Sequence, residues 1–214
     1  MFMSAFIFEA RLVKTNLALP IHGGTQMNIS ESIEKGLIRH CSPTLASLKT
    51  ASLFTLEFTC HKELNEVLRK WNKSLSDKGV AMIALRETDN RALIYVFRKN
   101  KLRKELRRPE IRRFLLNNGY GGSDIGAALS TLRAHLAKLE DFPHEIGIFL
   151  GYPLDDVIGF IRNKGQNCKC TGCWKVYCND CEAAKTFARY KKCEAVYMRL
   201  WEQGRSVRQL TVAA

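Results

Sequence analysis

Two apolar runs, Val80–Leu85 and Ala92–Phe97, most constrain what this chain can become. Each has the length of a strand, and the link between them carries the turn residues Asp89, Asn90 and Arg91, so they read as a hairpin. Ser52–Phe58 adds a third strand and Trp174–Tyr177 a short fourth. The residues that would cover such a sheet are helical. His61–Lys78 places Leu64, Val67, Leu68, Trp71 and Leu75 at three-and-four spacing. Gly79 follows, where a left-handed residue commonly closes a helix. Further helices are expected over 31–38, broken at His40-Cys41-Ser42-Pro43, and from Ser123 or Asp124 to about Leu139. Two short ones fall over 143–150 and 153–163, with Pro in the first turn of each. A last one runs from the Asn179 or Asp180 cap to about Gln203, with Gly204 closing it. The expected fold class is α+β, a small, mostly antiparallel sheet of three or four strands packed with six to eight helices. It forms a single domain over 28–214. Residues 1–27 read as a flexible extension, or as the product of a start codon placed too early.

With 214 residues, 46% of them apolar, such a domain can bury enough to fold without metal or disulfide staples. The opening run Met1–Phe8 is followed, not preceded, by Arg11 and Lys14, the reverse of a secretory signal. No run approaches the roughly 20 apolar residues of a membrane span. The reading is cytoplasmic, with no membrane, where thiols stay reduced. That turns attention from disulfides to metal ligands, redox thiols and buried cysteines.

Five of the eight cysteines fall between positions 168 and 181. Cys170-x-x-Cys173 and Cys178-x-x-Cys181 form two pairs, with Cys168 beside them. Two such pairs suit tetrahedral zinc or an iron–sulfur cluster. The metal reading therefore takes Cys170, Cys173, Cys178 and Cys181 as ligands of zinc or iron. Cys168, His40, Cys41, His144 and Glu145 are secondary candidates. A geometric objection comes from the spacer: as a straight strand it holds Cys173 and Cys178 roughly 16 Å apart, whereas a tight turn would bring them together. A thiol oxidoreductase using Cys178 and Cys181 is a separate reading, because a helix start lowers a thiol pKa. Cys193 lies further along that helix on the face of Val196, Tyr197 and Leu200, and reads as core.

Net charge is +13, and it is focused. Positions 98–113 hold nine Lys or Arg against Glu105 and Glu110, a surplus of seven (nine minus two), as one or two short helices interrupted near Pro109. This is either a solvated face or a field for an anionic partner. The anion reading takes Lys101, Arg103, Lys104, Arg107, Arg108, Arg112 and Arg113, with Gly121, Gly122 and Ser123 of the following glycine-rich loop. Its ligand would be a nucleotide, a phosphorylated metabolite or nucleic acid. The loop fits neither the P-loop nor the dinucleotide fingerprint. No aromatic interleaving suits the basic run to base stacking. No P-loop, carboxylate pair or Ser–His–Asp order marks an enzyme.

Three segments in order carry a resemblance: His40-Cys-Ser-Pro-Thr-Leu-Ala-Ser-Leu-Lys49, Phe142-Pro-His-Glu-Ile-Gly-Ile-Phe-Leu-Gly-Tyr-Pro153 and Gly172-Cys-Trp-Lys-Val-Tyr177. The sequence resembles an uncharacterised bacterial family, domain of unknown function 3793, common in clostridia and related anaerobes, over about residues 28–214. The resemblance implies an intracellular bacterial protein and supplies no mechanism. It implies that Trp174–Tyr177 is shared within the family and the flanking cysteines are particular to a branch. Weight accordingly moves toward His40, Cys41, His144 and Glu145.

Overall fold

The middle strand explains the architecture. β3 (Arg91–Arg98) is buried along nearly its whole length. It pairs antiparallel with β1 (Ala51–Glu57) on one edge and β2 (Val80–Glu87) on the other, in the order β1-β3-β2. A strand covered on both faces needs no polar alternation, so its sequence is a continuous apolar run. The computed structural model describes residues 28–122, 124–138 and 142–213. The expected extension over 1–27 lies outside them, as does Ser123.

Helices cover both sheet faces. Phe54, Leu56, Met82, Ile94 and Val96 meet α1 (Ile29–Leu45), α2 (His61–Leu75), the end of α8 (Asp180–Glu202) and α9 (Val207–Leu210). Leu53, Leu93, Tyr95 and Phe97 point the other way. There they meet α3 (Lys99–Arg107), α4 (Pro109–Asn117), α5 (Ile125–Ala137), α6 (Ile146–Phe149) and α7 (Leu154–Arg162). The register slips between Ala84 and Arg86. Ordinary alternation along β2 sends Met82 and Ala84 into one core and Ile83 and Leu85 toward the other. The fold is α+β, as expected, with nine helices among the described residues.

One boundary differs. The helix expected to break at His40–Pro43 runs on to Leu45. Pro43 enters in its last turn, where Arg39 and His40 are exposed, so the carbonyl left without a donor lies on the wet side. The stop comes later. Ser47 takes a left-handed φ of 57°, and Leu48 and Lys49 donate back to the Pro43 carbonyl at 2.8 and 3.0 Å.

The cysteine-rich segment is a small hairpin. β4 (Cys170–Thr171) pairs with β5 (Lys175–Val176), and the chain reverses at Gly172, Cys173 and Trp174. It is held from below by Asp156 on α7, which is 3% exposed. That carboxylate accepts from Trp174 Nε1 (2.8 Å), Tyr177 N (2.8 Å) and Cys178 N (3.0 Å). The Trp174 indole then packs edge-on against Phe187 of α8 at 4.6 Å. Replacing Asp156 by Ala leaves three buried or half-buried donors without their acceptor. We expect Asp156→Ala to cost roughly 3 kcal/mol in urea unfolding, with Trp174 fluorescence reporting a loosened hairpin. A cost below about 1 kcal/mol would show that the hairpin does not depend on this carboxylate.

Candidate functional site

The hairpin answers the question the cysteine spacing raises. Of the strand expected over Trp174–Tyr177, only Lys175 and Val176 are strand, and they pair back on Thr171 and Cys170. Cys173 therefore sits at the tip, while Cys178 and Cys181 lie beyond the other end, beside the start of α8. Cys168 bonds the Thr171 hydroxyl across 3.4 Å. Among the described residues no three His, Cys, Asp or Glu side chains come together as a metal-ion site. The four-cysteine arrangement expected from the spacing is thus not assembled here. The physical reason is that the second pair leaves the hairpin in the direction away from the tip.

Three thiols of the segment are shifted toward the protonated form. Burial pushes the Cys178 thiol up, and the carboxylates of Asp155 and Asp156 add to the effect. Burial raises Cys170 as well, followed by Asp180 and Cys168. Burial raises Cys173, with Glu194 adding and Lys49 opposing. Cys193 is core, as its helical position implies, and burial lifts its thiol to about 11.

His40, Cys41, His144 and Glu145 do not meet. The exposed His40 ring stacks on Phe54 at 6.2 Å, and Cys41 is buried beneath α1. His144 packs edge-on against Phe160 at 5.0 Å and faces a small void of about 20 Å³ beside Asp156 and Trp174. Glu145 turns the other way and is 8% exposed. It accepts from the Tyr120 hydroxyl at 3.1 Å and lies 2.7 Å from His135 Nδ1. Burial, followed by Glu145, holds the Tyr120 hydroxyl protonated far above its ordinary range. His135 and Tyr120 escape a sequence reading because nothing in their spacing ties them to Glu145.

The basic segment behaves differently: it assembles. α3 and α4 lie end to end, with Pro109 opening α4, as the sequence indicates. Leu102, Leu106, Ile111 and Leu115 are buried, which turns Lys99, Arg103, Lys104, Arg107, Arg112 and Arg113 outward; Lys101 is half-buried. Arg108 bridges Glu105 (3.1 Å) and Glu110 (2.7 Å). Among the described residues the other basic side chains of α3 and α4 make no ion pair. Gly121 and Gly122 have open space around them, but the α5 start beside them is already capped, since Asp124 accepts from Ala127 N at 3.0 Å.

At the head of α3 a cavity of about 390 Å³ opens between the Ser47–Thr50 turn and the helix. Ser47, Thr50, Asn100, Lys101 and Lys104 line it over Arg98. The first turn of α3 carries no acidic residue and no side-chain cap. Arg98 is 2% exposed. Its guanidinium donates to the carbonyls of Thr44 (2.7 Å), Lys78 (2.9 Å), Val212 (2.8 Å) and Leu45. No carboxylate neutralises it among the described residues. Burial lowers its pKa from the ordinary value, yet arginine starts high enough to stay charged. The Thr50 side of the wall is fixed by Gly151, whose φ of 75° suits glycine and whose Cβ would stand 2.5 Å from Thr50 Oγ1.

A family model described as a protein of unknown function (DUF3793) matches residues 37–211. No curated protein and no solved structure matches the chain. No helix among the described residues is long and apolar enough to cross a membrane.

The raised Cys178 pKa sets an expectation for its chemistry. The thiolate fraction at pH 7 falls below the few per cent of an ordinary cysteine with pKa near 8.5. Iodoacetamide should therefore alkylate the exposed Cys178 more slowly than a small reference thiol at pH 7, and catch up only above about pH 9. Mass-spectrometric rates faster than the reference would overturn this and restore a redox role.

Proposed function

We propose that this chain, which belongs to the DUF3793 family of proteins of unknown function over residues 37–211, is an anion-binding protein whose site is the cavity at the head of α3. The observation that carries the reading is the cavity of about 390 Å³ built over a buried arginine that has no carboxylate partner among the described residues. A fixed positive charge beneath a polar pocket draws anions into it. Lys101 and Lys104 add mobile charge at the wall, and the uncapped end of α3 adds the positive end of its dipole. Glu105, the acid on this wall, is occupied by Arg108.

The lining also sets the kind of anion. Ser47, Thr50 and Asn100 offer hydroxyl and amide donors from different sides, which suits a tetrahedral oxyanion such as a phosphoryl group. The side chains named here offer no apolar surface to hold an organic body. The phosphoryl group is thus the part recognised, and whatever carries it remains outside.

Inorganic phosphate and pyrophosphate are the direct probes. Titrated at low salt, they should shift the backbone amide signals of Asn100 and Lys101. The double variant Lys101→Gln with Lys104→Gln should weaken binding roughly tenfold or more, about 1.4 kcal/mol. Absence of any shift in the wild-type protein, or undiminished affinity in a folded double variant, would sink the reading.

A further inference from the structure

The far flank of α3 carries a second opening. Arg103 and Arg107 line a cavity of about 220 Å³ together with Asp124 and Ile125. With 3.6 residues per turn, Lys101 and Arg103 project about 160° apart around the helix. Lys104 and Arg107, three residues apart, project about 60° apart, so the two openings lie on either side of α3 and their basic residues meet along the ridge between them.

We infer that the ligand of this face is the phosphodiester backbone of a nucleic acid, laid across α3 so that separate phosphates enter the two cavities. The inference rests on the anion reading of the first cavity. A helix with its side chains is about 10–12 Å across, so a single phosphoryl group does not reach both flanks. A backbone that repeats its charge at every nucleotide does. The exposed charge also continues past the cavities through Arg112 and Arg113 on α4. Arg103 is already oriented on the surface, donating to Asn100 Oδ1 at 2.9 Å.

The face reads backbone and not bases. Phe114 is the single aromatic residue between Arg98 and Asn117, and it packs on the core below β3. With no ring displayed, a mononucleotide gains nothing from its base, whereas a strand gains from each phosphate neutralised. An anionic lipid surface fits less well. The exposed large apolar residues Leu48 and Leu116 stand singly on different elements, and interfacial binding draws on a continuous apolar face.

Fluorescence anisotropy with labelled 20-nucleotide DNA and RNA, single- and double-stranded and of mixed sequence, between 25 and 200 mM KCl tests the inference on the full chain. Affinity should fall steeply with salt and differ little between sequences. Each phosphate contact contributes about 0.9 to the log–log slope for duplex DNA and about 0.7 for single strands. The pair Arg103→Gln/Arg107→Gln should lower the slope by nearly two contacts, and Lys101→Gln/Lys104→Gln should do the same. Preference among the four probes identifies DNA or RNA as the source of the backbone. Inorganic phosphate, followed at the Lys101 amide, separates the two readings. The Arg103/Arg107 variant should bind phosphate as the wild type does. If phosphate binds there but oligonucleotides ignore the Arg103/Arg107 change, the bridging ligand is wrong and the anion site stands. If phosphate does not bind, the anion site itself falls. Binding to phosphatidylserine vesicles with none to any oligonucleotide would also overturn the inference.

Discussion

Arg98 ties together three segments that are distant in the sequence. One guanidinium gathers carbonyls from the end of α1, from Lys78 ahead of β2 and from Val212 near the chain's close. The farthest of those groups lies 114 residues along the chain from Arg98. Carbonyls at a helix end lack intrahelical donors, and an arginine with several donors in a fixed fork satisfies more than one at once. The same residue closes β3 and precedes α3, so the position of the basic helix is set by the bond network beneath it. The cavity follows from this: its floor is a structural cation whose charge, among the described residues, is offset by carbonyl dipoles.

That arrangement separates two kinds of charge. Arg98 is rigid and committed to backbone oxygens. The basic side chains on α3 and α4 are mostly exposed and outnumber the local carboxylates. Arg108 takes up both acids of the segment, leaving the remaining cations to solvent or to a ligand. The cysteine-rich hairpin is anchored by packing and hydrogen bonds. Asp156 and Phe187 seat it, and burial pushes the Cys170, Cys173 and Cys178 thiols toward the protonated form.

Much of the fold was legible in local pattern. The hairpin of β2 and β3, the amphipathic α2, the left-handed Gly79 and the Asn179 cap of α8 all depend on neighbours in sequence. So did the placement of Pro109 at the start of α4. The break expected at Pro43 failed because a proline in a last turn costs little when the carbonyl it orphans lies on the exposed side. The candidate site was legible only as charge. Lys101 and Lys104 announced themselves in a basic run, but Ser47 and Thr50 carry no signal until a turn 50 residues away folds against them. Arg98 looked like one more basic residue, since burial is decided by carbonyls brought from distant segments. The metal reading came from CxxC spacing, a local pattern, whereas the placement of the two pairs relative to each other depends on hairpin pairing.

The double burial of β3 bears on how the molecule comes apart. Its odd and even side chains serve two different cores, so each helical layer owns only half of the strand it rests on. Peeling either layer away would leave a sheet with one face wet, and that sheet's middle strand has no polar face to turn toward water. The passage of α8 from one core to the other couples the layers further. The two cores should therefore open as one cooperative unit, with the β3 amides exchanging only through global unfolding.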